Sequence, residues 1–177
     1  SLSHFIFNNV QTVIYGRSGI GKSSIVRAGI FPRARRLGKT PVLVRLKHDD
    51  GEPYVEQIRK AIIASGIILT ERCAAVSERE SLWEFIHRHD FEDSKSGQPV
   101  TPLLVFDQFE EIFTLQTDEK TRRAFFNELA DLFNDVKPYY IVEHEEKERS
   151  SATSKSVKNI SAGGFKNINI NISLPKV

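Results

Sequence analysis

The sequence predicts an α/β fold, a parallel sheet with flanking helices in a three-layer α/β/α arrangement. Three observations predict it. A glycine-rich run, Gly16-Arg17-Ser18-Gly19-Ile20-Gly21-Lys22-Ser23-Ser24, follows the apolar stretch Val10-Gln11-Thr12-Val13-Ile14-Tyr15 and precedes a helical pattern. The continuous apolar run Leu103-Leu104-Val105-Phe106 ends in Asp107, as expected of a strand buried on both faces with its last residue at the sheet's carboxyl edge. Strand candidates also alternate with helical segments, and parallel neighbours need the crossover connections that helices provide.

Taken in order, residues 10–15 read as a first strand and residues 21–30 as a helix broken near Pro32. Arg33, Arg35, Arg36 and Lys39 follow as a basic run, which reads either as a solvated face or as a contact for phosphate or nucleic acid. Pro41-Val42-Leu43-Val44-Arg45-Leu46 is the second strand. Asp50 and Pro53 then cap a helix with Tyr54, Ile58, Ala61, Ile62 and Ser65 on one face. Ser77 and Glu80 have capping-box spacing ahead of a helix lined by Leu82, Phe85, Ile86 and His89, with Trp83 as a packing residue. His87 and His89 lack a nearby cysteine and helical i, i+4 spacing, which counts against a metal site.

Residues 93–100 form a polar loop into the strand at Leu103. From Thr117 or Asp118 a long helix runs to about Val136, with Phe125, Phe126, Leu129, Leu132, Phe133 and Val136 as a core-facing stripe. Residues 143–162, rich in Glu, Lys, Ser and Asn, predict a mobile loop. Residues 165–174 alternate as a last strand.

The run at Gly16 has the phosphate-loop spacing G-x-x-x-x-G-K-[ST]. Glycines there let backbone N–H groups close around phosphate oxygens, Lys22 supplies positive charge, and the Ser23 hydroxyl can reach a bound Mg²⁺. The helix that follows adds its partial positive charge and unpaired N–H groups. Binding of ATP or another NTP with Mg²⁺ is therefore the leading expectation, with residues 16–24 as its cradle. Ligands of open α/β sheets bind at the carboxyl edge, so Asp107 is placed to hold Mg²⁺ opposite Ser23. Glu110 and Glu111 follow within a turn. Either could polarise a water, or both could belong to a solvated helix start. The position immediately after the metal aspartate is Gln108, which orients water without accepting its proton, so slow or regulated turnover is expected.

The 177 residues, 40% hydrophobic and 27% charged, suffice for one well-packed domain spanning 1–177. The apolar stretches are strand length, so no transmembrane helix is expected, and no charged n-region followed by an apolar run reads as a secretory signal. Cys73 is the sole cysteine, which excludes a disulfide framework and fits a reducing interior such as the cytoplasm. The net charge of +2 gives no support to a nucleic-acid partner. The lack of methionine predicts a segment of a longer multidomain protein, with Ser1-Leu2 as a cloning remnant and a C-terminus that stops just past a strand.

Three strings, Val13 through Ser24, Arg27-Ala28-Gly29-Ile30-Phe31-Pro32-Arg33, and Leu103 through Asp107-Gln108-Phe109-Glu110-Glu111-Ile112-Phe113, together resemble bacterial STAND NTPases of the novel STAND class. Asp-Gln-Phe-Glu-Glu is the most telling string. The resemblance covers residues 10–136 and extends to the final strand. It implies a P-loop NTPase core of the additional-strand type, related to AAA+ and NACHT modules, with residues 165–174 between the loop strand and the Asp107 strand. It also implies a nucleotide-governed switch that self-associates within a larger signalling or defence protein. Two departures stand out. The chain ends Ser173-Leu174-Pro175-Lys176-Val177 where similar proteins carry a polar or arginine-bearing sensor, leaving γ-phosphate sensing unassigned or with Lys176. The lead Phe5-Ile6-Phe7-Asn8-Asn9 is short, which leaves base specificity open. Two other functions compete with the switch: a conventional AAA+-type ATPase coupled to remodelling of nucleic acid or protein, and an inactive interaction scaffold.

Overall fold

The computed structural model describes residues 2–15, 17, 21–48, 51–152 and 169–174. Its elements, in chain order, are α1 (Leu2–Asn8), β1 (Gln11–Tyr15), α2 (Lys22–Ile25), a π-helical turn (Val26–Ile30), α3 (Phe31–Arg36), β2 (Lys39–Val44), α4 (Tyr54–Ala64), β3 (Ile67–Glu71), α5 (Leu82–Arg88), β4 (His89–Asp93), β5 (Thr101–Phe106), α6 (Glu111–Thr114), α7 (Glu119–Asn134), α8 (Tyr139–Ala152) and β6 (Asn169–Leu174).

Four strands form a parallel sheet in the order β1-β6-β5-β2. The last strand in sequence thus lies between the loop strand and the strand that leads to Asp107, the slot the resemblance implies. β5 is interior and buried on both faces. Leu104 and Phe106 join a core with α4, α5 and α7, while Leu103 and Val105 join Ile6, Val26, Ile30 and Ala34 on the other side. Because successive side chains point to opposite faces, an unbroken apolar run is what a strand between two helical layers requires. β2 is an edge strand, so its Pro41 is tolerated there and Leu43 is left partly exposed.

The structure alters several sequence expectations. The helix that begins at Lys22 is not broken at Pro32. It passes through a π turn, in which the Phe31 N–H bonds to the Val26 carbonyl, and continues to Arg36. The wide turn carries the preceding carbonyls away from the proline ring, and Pro32 falls in the first turn of α3, where its missing N–H costs least. β2 covers 39–44 rather than 41–46. Pro53 is the N-cap of α4, while Asp50 lies outside the described residues.

The helix cap occurs four residues later than expected, and without the reciprocal bond of a capping box, since the Ser81 N–H donates to the Tyr140 hydroxyl. Ser81, not Ser77, caps α5, its Oγ accepting the Glu84 N–H at 3.1 Å. Glu80 is instead a buried carboxylate held by Arg59 and Arg88. The expected loop at 93–100 is preceded by β4, which pairs antiparallel with β3 in a separate two-stranded sheet that the periodicity reading missed. His89 opens β4 and is buried there, its Nδ1 2.8 Å from the Phe85 carbonyl. α7 starts at the Asp118 cap and buries Phe125, Leu129 and Leu132, but Val136 lies past its end and is exposed.

The expected loop 143–162 is helical as far as Ala152, and its remainder lies outside the described residues. α8 buries Ile141 and carries Lys147–Glu143 and Arg149–Glu145 pairs at helical i, i+4 spacing. A sparse apolar content hid this helix from the sequence reading. Of residues 165–174, positions 165–168 lie outside the described residues.

Candidate functional site

The parallel ladder brings two distant segments to one edge. β1 delivers the chain to the glycine-rich loop and β5 delivers it to Asp107. The Ser23 hydroxyl donates to Asp107 Oδ1 at 3.1 Å, a contact between residues 84 apart in sequence. Gly16, Ser18, Gly19 and Ile20 lie outside the described residues. Arg17 is exposed, and its carbonyl accepts the Lys22 ammonium at 3.1 Å. Gly21 sits at φ 82°, ψ 22°, a left-handed conformation that a Cβ disfavours, and its carbonyl accepts the Ile25 N–H at 2.9 Å. Ser24 is exposed on the same turn.

The strand end at Asp107 is built by a sharp reversal. The Asp107 N–H donates to the Val44 carbonyl at 2.9 Å, the last rung between β5 and β2. Gln108 then adopts φ 56°, a left-handed conformation uncommon outside glycine. Such strain persists only when surrounding packing imposes it. Here Phe109 supplies that packing: it is buried against Phe106, Phe125 and Phe126, with ring centroids 5.3, 6.3 and 6.0 Å away. The turn closes through Glu111 N–H to the Gln108 carbonyl at 3.0 Å and Phe113 N–H to the Glu110 carbonyl at 3.0 Å.

The two carboxylates that follow are not equivalent. Glu111 faces Arg45, with Nη2 and Oε1 3.7 Å apart. Glu110 Oε2 is buried and has no hydrogen-bond partner. Sequence reasoning missed Arg45. The available signal was that the apolar run of β2 ends in a charged residue, as that of β5 does.

A small recess beside the Ser23–Asp107 contact is lined by Val26, Arg27, Leu43 and Phe106. The larger cleft, about 400 Å³, lies at the amino end of β5 between Ile86, Phe91, Glu92, Pro99 and Thr101, far from this edge. Among the described residues no group of three His, Cys, Asp or Glu could hold a metal ion. His87 packs flat on Trp83 with centroids 3.8 Å apart and pairs with Asp135, which agrees with packing roles for both rings.

The donor set suits Mg²⁺ and a phosphate chain. Mg²⁺ prefers hard oxygen ligands and takes few from protein, leaving the rest to water and phosphate, and the Ser23 hydroxyl and Asp107 carboxylate are such a pair. The Lys22 ammonium, which reaches the Arg17 carbonyl at this edge, is a cationic donor of the kind a phosphate oxygen accepts from.

A parallel sheet with helices on both faces, and an aspartate at the end of an interior strand that accepts from Ser23 of the helix following the first strand, make an α/β fold consistent with a P-loop NTPase-like architecture. Residues 2–146 match the family described as Novel STAND NTPase 1, and the chain belongs to that family. No curated protein and no solved structure matches it. No helix among the described residues is long and apolar enough to cross a membrane.

Proposed function

We propose that this chain is the ATP- and Mg²⁺-binding core of a STAND-type switch, a P-loop NTPase domain of the additional-strand type. The observation that carries the reading is the Ser23–Asp107 contact, which joins the phosphate-loop serine to the carboxylate at the neighbouring strand end. In this reading the backbone of residues 16–24 cradles the phosphates and Lys22 holds the β and γ oxygens, exchanging the Arg17 carbonyl for them. Ser23 and Asp107 hold Mg²⁺, which neutralises phosphate charge when bound.

Gln108 and the two glutamates set the rate. Gln108 orients a water without taking its proton. Glu111 is engaged by Arg45, which leaves Glu110, with its unpartnered buried oxygen, as the more available base. A base must reach the proton it removes, and neither carboxylate is held in a hydrogen bond to Gln108 or Asp107, so slow or regulated hydrolysis is expected. The nucleotide acts by differential affinity for two arrangements of the larger protein, with self-association as the output.

The test is equilibrium titration with fluorescent ATP and ADP in the presence and absence of Mg²⁺. Micromolar binding that is lost in Lys22→Ala, and that loses its Mg²⁺ dependence in Asp107→Ala, is expected. Failure of the unaltered chain to bind ATP with Mg²⁺, together with intact function in Lys22→Ala, would leave only the scaffold reading. Rapid multiple turnover by this chain alone would favour the conventional ATPase.

A further inference from the structure

The sheet's carboxyl edge carries a cation that the phosphate-loop motif does not include. β2 and β5 run parallel with Val44 opposite Phe106, and the Asp107 N–H closes the ladder on the Val44 carbonyl. Arg45 therefore leaves β2 directly beside Asp107, the carboxylate bonded to Ser23. Its side chain is 62% exposed, and its ion pair is with Glu111 at 3.7 Å. A pair that long and that exposed is weak, because water screens it and two flexible side chains must be ordered to hold it. The guanidinium is thus kept at the edge without being committed there.

We propose that Arg45 is the residue that distinguishes a nucleoside triphosphate from a diphosphate, by exchanging Glu111 for the terminal phosphate. This rests on the nucleotide reading above and adds to it the residue that senses the third phosphate. A planar guanidinium matches a phosphate's oxygens in bidentate geometry, and a doubly charged terminal phosphate is a stronger acceptor than a carboxylate held at 3.7 Å. β6, Asn169–Leu174, includes no cation, and Lys176 past its end lies outside the described residues. Lys22 is assigned to the β and γ oxygens together, so it contributes to diphosphate binding as well. Arg27, which lines the recess beside Ser23 and Asp107 and does not share the Glu111 pair, serves as the comparison.

The same exchange frees Glu111. In the structure its carboxylate is turned to Arg45; with Arg45 on phosphate, the carboxylate is released toward the water side of the edge. Sensing and the availability of a second base are then one event.

The experiment measures dissociation constants for Mg²⁺-bound ADP and for a β,γ-imido ATP analogue, which removes hydrolysis from the readout. The unaltered chain is compared with Arg45→Ala, Arg45→Lys, Glu111→Gln and Arg27→Ala. Loss of one charge-assisted contact predicts a roughly ten- to hundredfold weaker affinity for the triphosphate in Arg45→Ala with ADP affinity unchanged. Arg45→Lys should recover part of that loss. Glu111→Gln should tighten the triphosphate a few-fold, because the competing carboxylate is gone. An unchanged triphosphate-to-diphosphate ratio in Arg45→Ala overturns the proposal, as does a parallel loss of both nucleotides or a collapse of the ratio in Arg27→Ala instead. Absence of nucleotide binding by the unaltered chain overturns the nucleotide reading itself and this inference with it. Arg45 is exposed, so its variants should keep the far-ultraviolet circular dichroism and melting behaviour of the parent.

Discussion

Phe109 links the strained turn after Asp107 to the helical core, which makes its truncation an informative perturbation. The side chain is 5% exposed and meets three other phenyl rings. A buried aromatic removes about 150–250 Å² from water, and at about 25 cal/mol/Å² this is worth roughly 4–6 kcal/mol as an upper figure. Large-to-small aromatic substitutions in cores cost about 3–5 kcal/mol, so about 4 kcal/mol is expected for Phe109→Ala. With a urea slope of about 2 kcal/mol/M this moves the unfolding midpoint by roughly 2 M. Since a domain is stable by only about 5–15 kcal/mol, Phe109→Leu, expected to lose about 1–2 kcal/mol, keeps the comparison measurable. Trp83 is the sole tryptophan and lies on α5, stacked on His87 and donating to Asp135 at 3.0 Å, so its fluorescence reports unfolding directly. The Leu variant should also weaken nucleotide binding, because Gln108 and Glu110 lose the wedge that sets their turn. A loss below about 1 kcal/mol in Phe109→Ala, at unchanged slope, would refute the claim that packing holds this turn.

Glu80→Ala should cost about 1–3 kcal/mol in urea unfolding, because it removes the carboxylate between Arg59 and Arg88, with side chains 17% and 9% exposed, and leaves them only Glu56 and Glu71; a value within 0.5 kcal/mol of the parent would sink this. Tyr140 donates to Glu84 Oε2 at 2.6 Å and accepts from the Ser81 hydroxyl at 2.9 Å, and burial together with the Glu84 carboxylate pushes its phenol up to about 12. A folded-state value above the ordinary 10.0 means a stabilising contribution that is complete below pH 10 and lost as pH rises through about 12. The stability gap between the parent and Tyr140→Phe should therefore close across that window, and a gap independent of pH would contradict the assignment. Gly21→Ala places a Cβ at φ 82° and should cost about 1–2 kcal/mol in thermal unfolding, with nucleotide affinity reduced; full tolerance would show that the loop adopts another conformation.

The parts of the fold that were legible from sequence are those whose signals are local. β5 is fully apolar because it lies between two helical layers, α7 presents its stripe at helical spacing, and Asp118 starts that helix by accepting the Lys120 and Thr121 N–H groups. The misreadings came where tertiary context outweighed a local rule. Pro32 normally interrupts a helix, but a π turn accommodates it. Ser77 and Glu80 have the right spacing for a cap, yet burial against Arg59 and Arg88 claims Glu80 and passes the cap to Ser81. Ile67-Ile68-Leu69-Thr70 is a strand-like run next to Gly66, but its partner β4 follows a helix and contains Asp90, Glu92 and Asp93, so no alternation marked the pair.

By itself the sequence determined the class of fold, the glycine-rich loop, the aspartate at the end of an apolar strand and the string that follows it. These follow from residue chemistry at fixed spacing, which needs no knowledge of what lies nearby. Only the tertiary structure decided that the Ser23 hydroxyl and Asp107 are in direct contact and that Arg45 stands beside them with Glu111 as its partner; the place of β6 between their strands was implied only by the family resemblance, not by any local pattern. Each of those is a contact between segments tens of residues apart, set by strand order and register, and no local pattern encodes which strand ends will share an edge.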